Sequence, residues 1–191
     1  LIADYVLSAR REQGLLPERP SDGALVTTIV SSDMARPVAA EYGLSVIETL
    51  TGFKYIGEQI RLFEQARAAN GGRPDAAKGA YVFEFGFEES YGCLVGTYAR
   101  DKDAVMAVVS LCEAAAYYAR QGMTLWDAML AMYEKYGYYA EDLACLTLRG
   151  ADGAEKIARM MTDLRNDPPA EVGGRRICAL RDYRRGVRRD V

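Results

Sequence analysis

Residues 81–92 have the sequence YVFEFGFEESYG. The first four, Tyr81–Glu84, are rich in aromatic and β-branched side chains and predict a β-strand. Gly86 and Gly92 then bracket two adjacent carboxylates and a hydroxyl, which predicts a tight loop at the strand end where the backbone takes positive φ or approaches a ligand closely. A cluster of hydrogen-bond acceptors suits a polyol. A solvated turn with two surface glutamates is the alternative.

Strands and helices alternate on both sides of this segment, judged by hydrophobic periodicity and capping residues. Strands are predicted at 25–30, 45–50, 81–84 and 177–180, and helices at 1–13, from 34, from 56, from 104, from 125 and from 152. This alternation predicts the α/β class, as a three-layer α/β/α sandwich with a mixed, mostly parallel sheet.

Three segments are expected along the chain. Residues 1–14 are predicted to be a helix leading in from a missing upstream domain, because no capping residue precedes it. Residues 15–167 form the α/β domain, and 168–191 hold a terminal strand and the start of a linker to a missing downstream domain. The basic cluster between Arg181 and Arg189 is interpreted as a solvated tail.

Composition excludes several kinds of chemistry. The chain has 191 residues, a net charge of −3 and no histidine, so Ser-His-Asp triads and most zinc sites are excluded. Its charge gives no reason to expect nucleic acid or an anionic membrane as a partner. The four cysteines are too far apart for a metal-ligand pair, and we expect buried thiols of a cytoplasmic protein.

Ligands of open α/β sheets gather at the carboxyl ends of the strands. Two loops are predicted to leave such ends, Thr51-Gly52-Phe53-Lys54 and Glu88–Gly92, and Arg100-Asp101-Lys102-Asp103 follows the second. Carboxylates and a hydroxyl for sugar hydroxyls, with arginine or lysine for a phosphate, would make a sugar-phosphate site. The alternative for 100–103 is a helix N-terminus with ordinary surface ion pairs.

These three motifs, in this order and spacing, resemble the α-D-phosphohexomutases, the phosphoglucomutase and phosphomannomutase superfamily. The segment 86–92 is similar to that family's Gly-Glu-x-Ser sugar-recognition loop, 51–54 to its Thr-Gly segment, and 100–103 to its Arg-x-Lys-Asp run. The likeness is to the third domain and covers nearly the whole chain. Phe87 stands where some members have the glycine of the motif.

The resemblance implies a two-step phosphoryl transfer in the full-length enzyme. A phosphoserine in another domain gives its phosphoryl group to a hexose phosphate, and the resulting bisphosphate reorients and returns the other group. Mg²⁺ and a hexose 1,6-bisphosphate activator are implied for the full-length protein, with no cofactor bound by this segment. The implied partners are a hexose phosphate and the remaining domains of the parent chain.

The resemblance also assigns roles to residues. Glu88 and Ser90 would bind the O3 and O4 hydroxyls, Thr51 and Gly52 would line the sugar, and Glu89 would face away or support the loop. The remaining implied contacts with the substrate come from Arg100, Lys102, which is expected to assist proton transfer, and Lys54.

Neither a phosphoserine loop nor an Asp-Gly-Asp metal loop is found in the sequence. We therefore expect the intramolecular phosphotransferase activity, an isomerase reaction, only in the full-length parent, with phosphoglucomutase preferred, and no activity in this segment alone. The competing hypothesis is a non-catalytic α/β module for sugar-phosphate binding or oligomerisation.

Overall fold

The computed structural model describes residues 1–142 and 145–191. These residues form two compact units, Leu1–Glu141 and Asp142–Val191. The division after Glu141 differs from the predicted one at residue 167. In the first unit, the opening helix packs against a later helix and the third strand, so residues 1–14 are part of its α/β fold.

The first unit is built on a four-stranded sheet in the order β2-β1-β3-β4. Its strands are β1 (Gly23–Thr28), β2 (Ser45–Thr49), β3 (Val82–Phe87) and β4 (Cys93–Leu94). β1 pairs in parallel with β2 and β3, whereas the short β4 pairs antiparallel with β3. The predicted mixed, mostly parallel sheet is therefore confirmed.

Helices cover both faces of this sheet. Successive side chains of the parallel strands point to opposite faces and are apolar on both, so each face must be shielded from water. They are α1 (Ile2–Glu12), α2 (Ala35–Glu41), α3 (Phe53–Ala69), α4 (Ala104–Ala119) and α5 (Leu125–Tyr136). On one face, Val26 and Phe83 pack against α3. On the other, Leu25 packs with α1, α2 and Met132 of α5, and Phe85 packs with α1 and α4. The arrangement is the predicted three-layer α/β/α sandwich.

β3 is longer than predicted, since Phe85, Gly86 and Phe87 belong to the strand and not to the loop. Neither Gly86 nor Gly92 has positive φ. A Cβ atom on Gly86 would lie 2.8 Å from Ile56 Cγ2, so this glycine is needed for the close approach of β3 to α3. Aromatic side chains on both sides of Gly86 keep the strand buried.

The two long helices after the sheet begin where the sequence predicts. The Asp103 carboxylate accepts hydrogen bonds from the amides of Val105 and Met106 at the start of α4. Thr124 and Asp127 form a reciprocal capping box at the start of α5. Short 3₁₀ turns at Pro20–Asp22 and Ala76–Lys78 complete the first unit.

The second unit contains α6 (Gly150–Asn166) and two hairpins. The hairpins are formed by β5 (Glu171–Val172) with β6 (Arg175–Arg176), and by β7 (Ala179–Asp182) with β8 (Val187–Asp190). In the basic cluster expected to be a solvated tail, Arg181, Arg188 and Arg189 therefore lie in paired strands, and Arg184 and Arg185 lie in the turn between them. Cys93 of the first unit is buried, whereas Cys112, Cys145 and Cys178 are exposed, so burial of all four thiols was a wrong prediction.

Candidate sugar-recognition site

The carboxyl ends of β1, β2 and β3 lie at the same edge of the sheet because all three strands run in parallel. The loop Glu88–Gly92 leaves β3, and Thr51-Gly52 leaves β2. β1 separates these two strands, so the loop origins are roughly 10 Å apart at the usual spacing of neighbouring strands.

Glu88 is the buried acid of this edge, with 5% of its surface exposed. Its Oε1 pairs with Nζ of Lys102, whose side chain is half exposed. The Glu88 amide donates a 2.9 Å hydrogen bond to the carbonyl of Gly92, which closes the loop. The hydrogen bond to Glu88 raises the pKa of Lys102, so this side chain is a cation at neutral pH and can donate hydrogen bonds.

Gly92 allows Glu88 and Lys102 to meet. A Cβ atom at this position would lie 2.5 Å from Lys102 Cδ and 2.6 Å from Glu88 Oε1. Such distances are far inside van der Waals contact, so a larger residue here would make the Lys102 or the Glu88 side chain shift. The glycine that closes the sequence motif thus leaves room for this pair.

Lys102 is held beside the loop by the residues around it. The carbonyl of Arg100 lies against Gly57 of α3, where a side chain would collide with it. The Arg100 guanidinium donates to both carboxylate oxygens of Glu64 at 2.9 and 2.7 Å and also to backbone carbonyls. Asp103 caps α4. Arg100 thus fastens the segment to α3, and its role as a substrate ligand stays a prediction.

Glu89 turns in the other direction, toward β1. Its Oε2 accepts a 2.6 Å hydrogen bond from the hydroxyl of Thr28, which is only 1% exposed. Thr28 Oγ1 lies 2.9 Å from Ser31 Oγ. Sequence reasoning missed Thr28 and Ser31, although the rule that pointed to the loops after β2 and β3 applies equally to the end of β1.

Ser90 and Tyr91 form the exposed tip of the loop. Tyr91 has φ of 65°, the only positive value for a non-glycine residue in the described part of the chain, and it is 98% exposed. A residue with a large side chain is uncommon in this region of φ. The contacts made by Glu88 and Glu89 hold the loop in this conformation.

The other predicted contacts lie at the start of α3. Gly52 precedes the helix with φ of 112°, a value that favours glycine, and Thr51 before it is exposed. Lys54 belongs to the first turn of α3, where its Nζ lies 4.9 Å from the centre of the Tyr55 ring. The structure thus brings Glu88 and Lys102 together, whereas Thr51, Gly52 and Lys54 lie beyond β1.

A cavity of about 460 Å³ lies on the α1 side of the loop. Most of its lining is apolar, including Phe85, Phe87 and Met132, and Glu88 and Gly92 form part of its wall. Glu88 therefore borders this cavity in addition to pairing with Lys102.

Within 1–142 and 145–191, no three or more histidine, cysteine, aspartate or glutamate side chains are grouped to hold a metal ion. The Mg²⁺ implied for the full-length protein stays a prediction. None of the helices in these ranges is long and apolar enough to cross a membrane.

The sequence was compared with known families and proteins. The family described as phosphoglucomutase/phosphomannomutase, alpha/beta/alpha domain III, matches residues 1–136. A phosphoglucomutase of Staphylococcus aureus (strain bovine RF122 / ET3-1) is 34% identical over 159 residues, which are 83% of this chain and 26% of the relative. The phosphoglucomutase of strain MRSA252 is 33% identical over the same shares. The chain thus spans about a quarter of the length of these relatives.

Among solved structures, the open form of the Paramecium exocytosis-sensitive phosphoprotein pp63/parafusin, a phosphoglucomutase, matches with a TM-score of 0.51 and 18% identity. That match covers 99% of this chain and 30% of the other, and it concerns the fold alone. The family match spans the sheet, the loop 88–92 and the segment 100–103. The chain therefore belongs to the phosphoglucomutase/phosphomannomutase family, and residues 1–136 are its α/β/α domain III.

Proposed function

We propose that this chain recognises the sugar of a hexose phosphate within a phosphohexomutase, and that the complete protein is a phosphoglucomutase. The complete protein would interconvert 1- and 6-phosphosugars through a phosphoserine and a bisphosphate intermediate. Family membership and the similarity to curated phosphoglucomutases support this proposal.

The observation that carries it is the environment of Glu88. A carboxylate 5% exposed, beside a half-exposed ammonium and at the edge where three parallel strands end, is arranged for a ligand. A charged acceptor in such a place makes strong hydrogen bonds to hydroxyl groups. Ser90 lies two residues along the same loop, at its exposed tip.

The proposed division of labour follows from what each group can donate and accept. Glu88 accepts hydrogen bonds from sugar hydroxyls, whereas Ser90 can both donate and accept. Together they suit two neighbouring hydroxyls, O3 and O4, in either of two orientations of the sugar. Lys102, which pairs with Glu88, supplies a cation beside the sugar, and the raised pKa of its ammonium disfavours a role as a general base.

Replacing Glu88 by glutamine in the protein encoded by the complete reading frame tests the proposal. The substitution keeps the size of the side chain and removes its charge. Loss of a charge-assisted hydrogen bond of about 1.5–3 kcal/mol predicts a fall in kcat/KM for glucose 1-phosphate of roughly 10- to 150-fold. Steady-state kinetics measure this fall, and circular dichroism checks that the fold is kept.

Glu58→Gln is the matched control. Glu58 lies on α3, and its half-exposed carboxylate pairs with Arg61 one turn away. Because such surface pairs contribute little, the turnover of Glu58→Gln should stay within twofold of the wild type. Equal turnover of Glu88→Gln and Glu58→Gln would contradict the proposal. A complete protein that binds sugar phosphate without any turnover would instead establish the non-catalytic module.

A further inference from the structure

Glu89 and Glu88 are adjacent, but their carboxylates have different partners. Glu88 pairs with Lys102 on one side of the loop, and Glu89 contacts Thr28 on the other. The two carboxylates therefore fasten the loop Glu88–Gly92 at two places.

The direction of the hydrogen bonds near Glu89 follows from the number of protons available. A threonine hydroxyl has one proton, and the Thr28 proton lies on the 2.6 Å bond to Glu89. The 2.9 Å contact between Thr28 and Ser31 must then be donated by Ser31. This gives a chain of two hydrogen bonds, from Ser31 to Thr28 to the carboxylate, and the first strengthens the second.

Thr28 is a rigid anchor for this chain. Its side chain is buried at the end of β1, and its backbone is in register with Thr49 of β2. Glu89 itself is exposed, so a free glutamate at this position would lose little by turning into water. An exposed carboxylate held by a buried hydroxyl ties the position of the loop to the central strand.

The loop that Thr28 anchors has a strained backbone at Tyr91. Tyr91 has φ of 65° although its side chain is 98% exposed and makes no packing that would justify the conformation. Conformations of this kind persist only where the surroundings enforce them. The Glu88–Gly92 backbone bond closes this turn, and the Glu89–Thr28 bond ties it to β1.

We propose that Glu89 is a positioning residue, which acts through the hydroxyl of Thr28 to hold Glu88 and Ser90 in the orientation that receives the sugar. This inference rests on the proposed function of the loop. It assigns to Glu89 no direct contact with the substrate.

The test replaces Thr28 by valine in the protein encoded by the complete reading frame. Valine has nearly the shape of threonine and removes only the hydroxyl, and the groups left behind, Glu89 and Ser31, can bond to water because neither is buried. We expect kcat/KM for glucose 1-phosphate to fall about tenfold. Thr28→Ser, which restores the hydroxyl, should lie within threefold of the wild type.

A double-variant cycle separates positioning from direct contact. If Glu89 acts through Thr28, Glu89→Ala combined with Thr28→Val loses no more than the worse single variant. If the fold-loss in kcat/KM of the double variant equals the product of the two single-variant losses, Glu89 acts independently of Thr28, which would overturn the proposal. Equal activity of Thr28→Val and the wild type would also overturn it.

Hydrogen exchange supplies a readout that does not need turnover. Thr28→Val should speed exchange of the Glu88 amide about tenfold while the amides of α3 keep their rates, and unchanged exchange at Glu88 would overturn the positioning role. Full activity of Glu88→Gln would refute the proposed function instead. Loss in Glu88→Gln together with wild-type behaviour of Thr28→Val would refute the positioning role alone.

Discussion

Glu84 and Glu88 are two buried glutamates four residues apart, one inside β3 and one just after its end. Their side chains are 0% and 3% exposed, and each is paired with a cation from elsewhere in the chain. Arg10 of α1 places its Nε 2.8 Å from Glu84 Oε2 and is 26% exposed, whereas Lys102 is 50% exposed. The two pairs therefore differ mainly in their access to solvent.

The surroundings of Glu84 suit a structural role. The pairing of β1 with β3 shifts register here, with Ala24 opposite Phe83 and Leu25 opposite Phe85, so Glu84 is the extra residue of a bulge. In the described part of the chain neither of its carboxylate oxygens has a well-aligned hydrogen bond. Burial raises the pKa of Glu84 despite Arg10. Burying a charged glutamate within the strand lowers the stability of the fold unless Arg10 pairs with it. A glutamate at the strand end is instead available to a ligand.

Removing Arg10, the cation that pairs with Glu84, should have the largest effect on stability. Arg10→Met would leave the Glu84 carboxylate buried without a partner, which typically costs about 3–5 kcal/mol. Hydrogen exchange of the β3 amides in the complete protein should report that loss as easier opening of the strand. Arg19→Met is the control, since Arg19 is 73% exposed and lies 3.9 Å from Asp22. A loss below about 1 kcal/mol for Arg10→Met would contradict the structural role.

Separating Glu88 from Lys102 should have a smaller effect on stability. Gly92→Ala would place a methyl group against both Lys102 and Glu88, and overpacking of this kind costs about 1–3 kcal/mol. Thermal unfolding and turnover of the complete protein measure the two consequences. The collision involves the Lys102 side chain, so Gly92→Ala should cost less in a Lys102→Ala background. Equal costs in the two backgrounds would mean that the pair is not what Gly92 protects.

The smallest of the three effects concerns pH. Because the folded-state pKa of Glu84 is raised above its usual 4.5, the contribution of Glu84 to the free energy of unfolding is greatest below pH 4.5 and declines as the pH rises to the folded-state value. Glu84→Gln removes this decline, so its stability relative to the wild type should improve from pH 4.5 toward neutrality and then level off. The opening free energy of β3, corrected for intrinsic exchange, measures the difference. A difference independent of pH would show that Glu84 titrates alike in the folded and unfolded chain.

The alternation of strands and helices could be predicted because it depends on local periodicity and on caps such as Asp103 and Thr124, which act within three residues. The order of the motifs predicted that Glu88 and Lys102 lie near each other, because only 14 residues separate them in the sequence. The bond between Thr28 and Glu89 joins positions 61 apart. No local pattern marks it, and only the register of the sheet brings the two together.

Two differences from the sequence-based expectation have separate physical origins. Phe85–Phe87 were expected in the loop because of Gly86, but packing against helices on both faces of the sheet extends the strand, so tertiary packing outweighed the local signal. The arginines of the C-terminal segment were expected in a tail because they are charged, but β7 and β8 pair through their backbones while the side chains stay largely exposed.

A crystal structure of the complete protein with glucose 1-phosphate would show whether the loop Glu88–Gly92 binds the sugar. We expect a carboxylate oxygen of Glu88 and Oγ of Ser90 at hydrogen-bond distance, about 2.5–3.0 Å, from neighbouring sugar hydroxyls. We also expect the Glu89–Thr28 bond to stay in place. A sugar bound away from the ends of β1, β2 and β3, with the loop Glu88–Gly92 free of ligand, would contradict a role of this loop in sugar recognition.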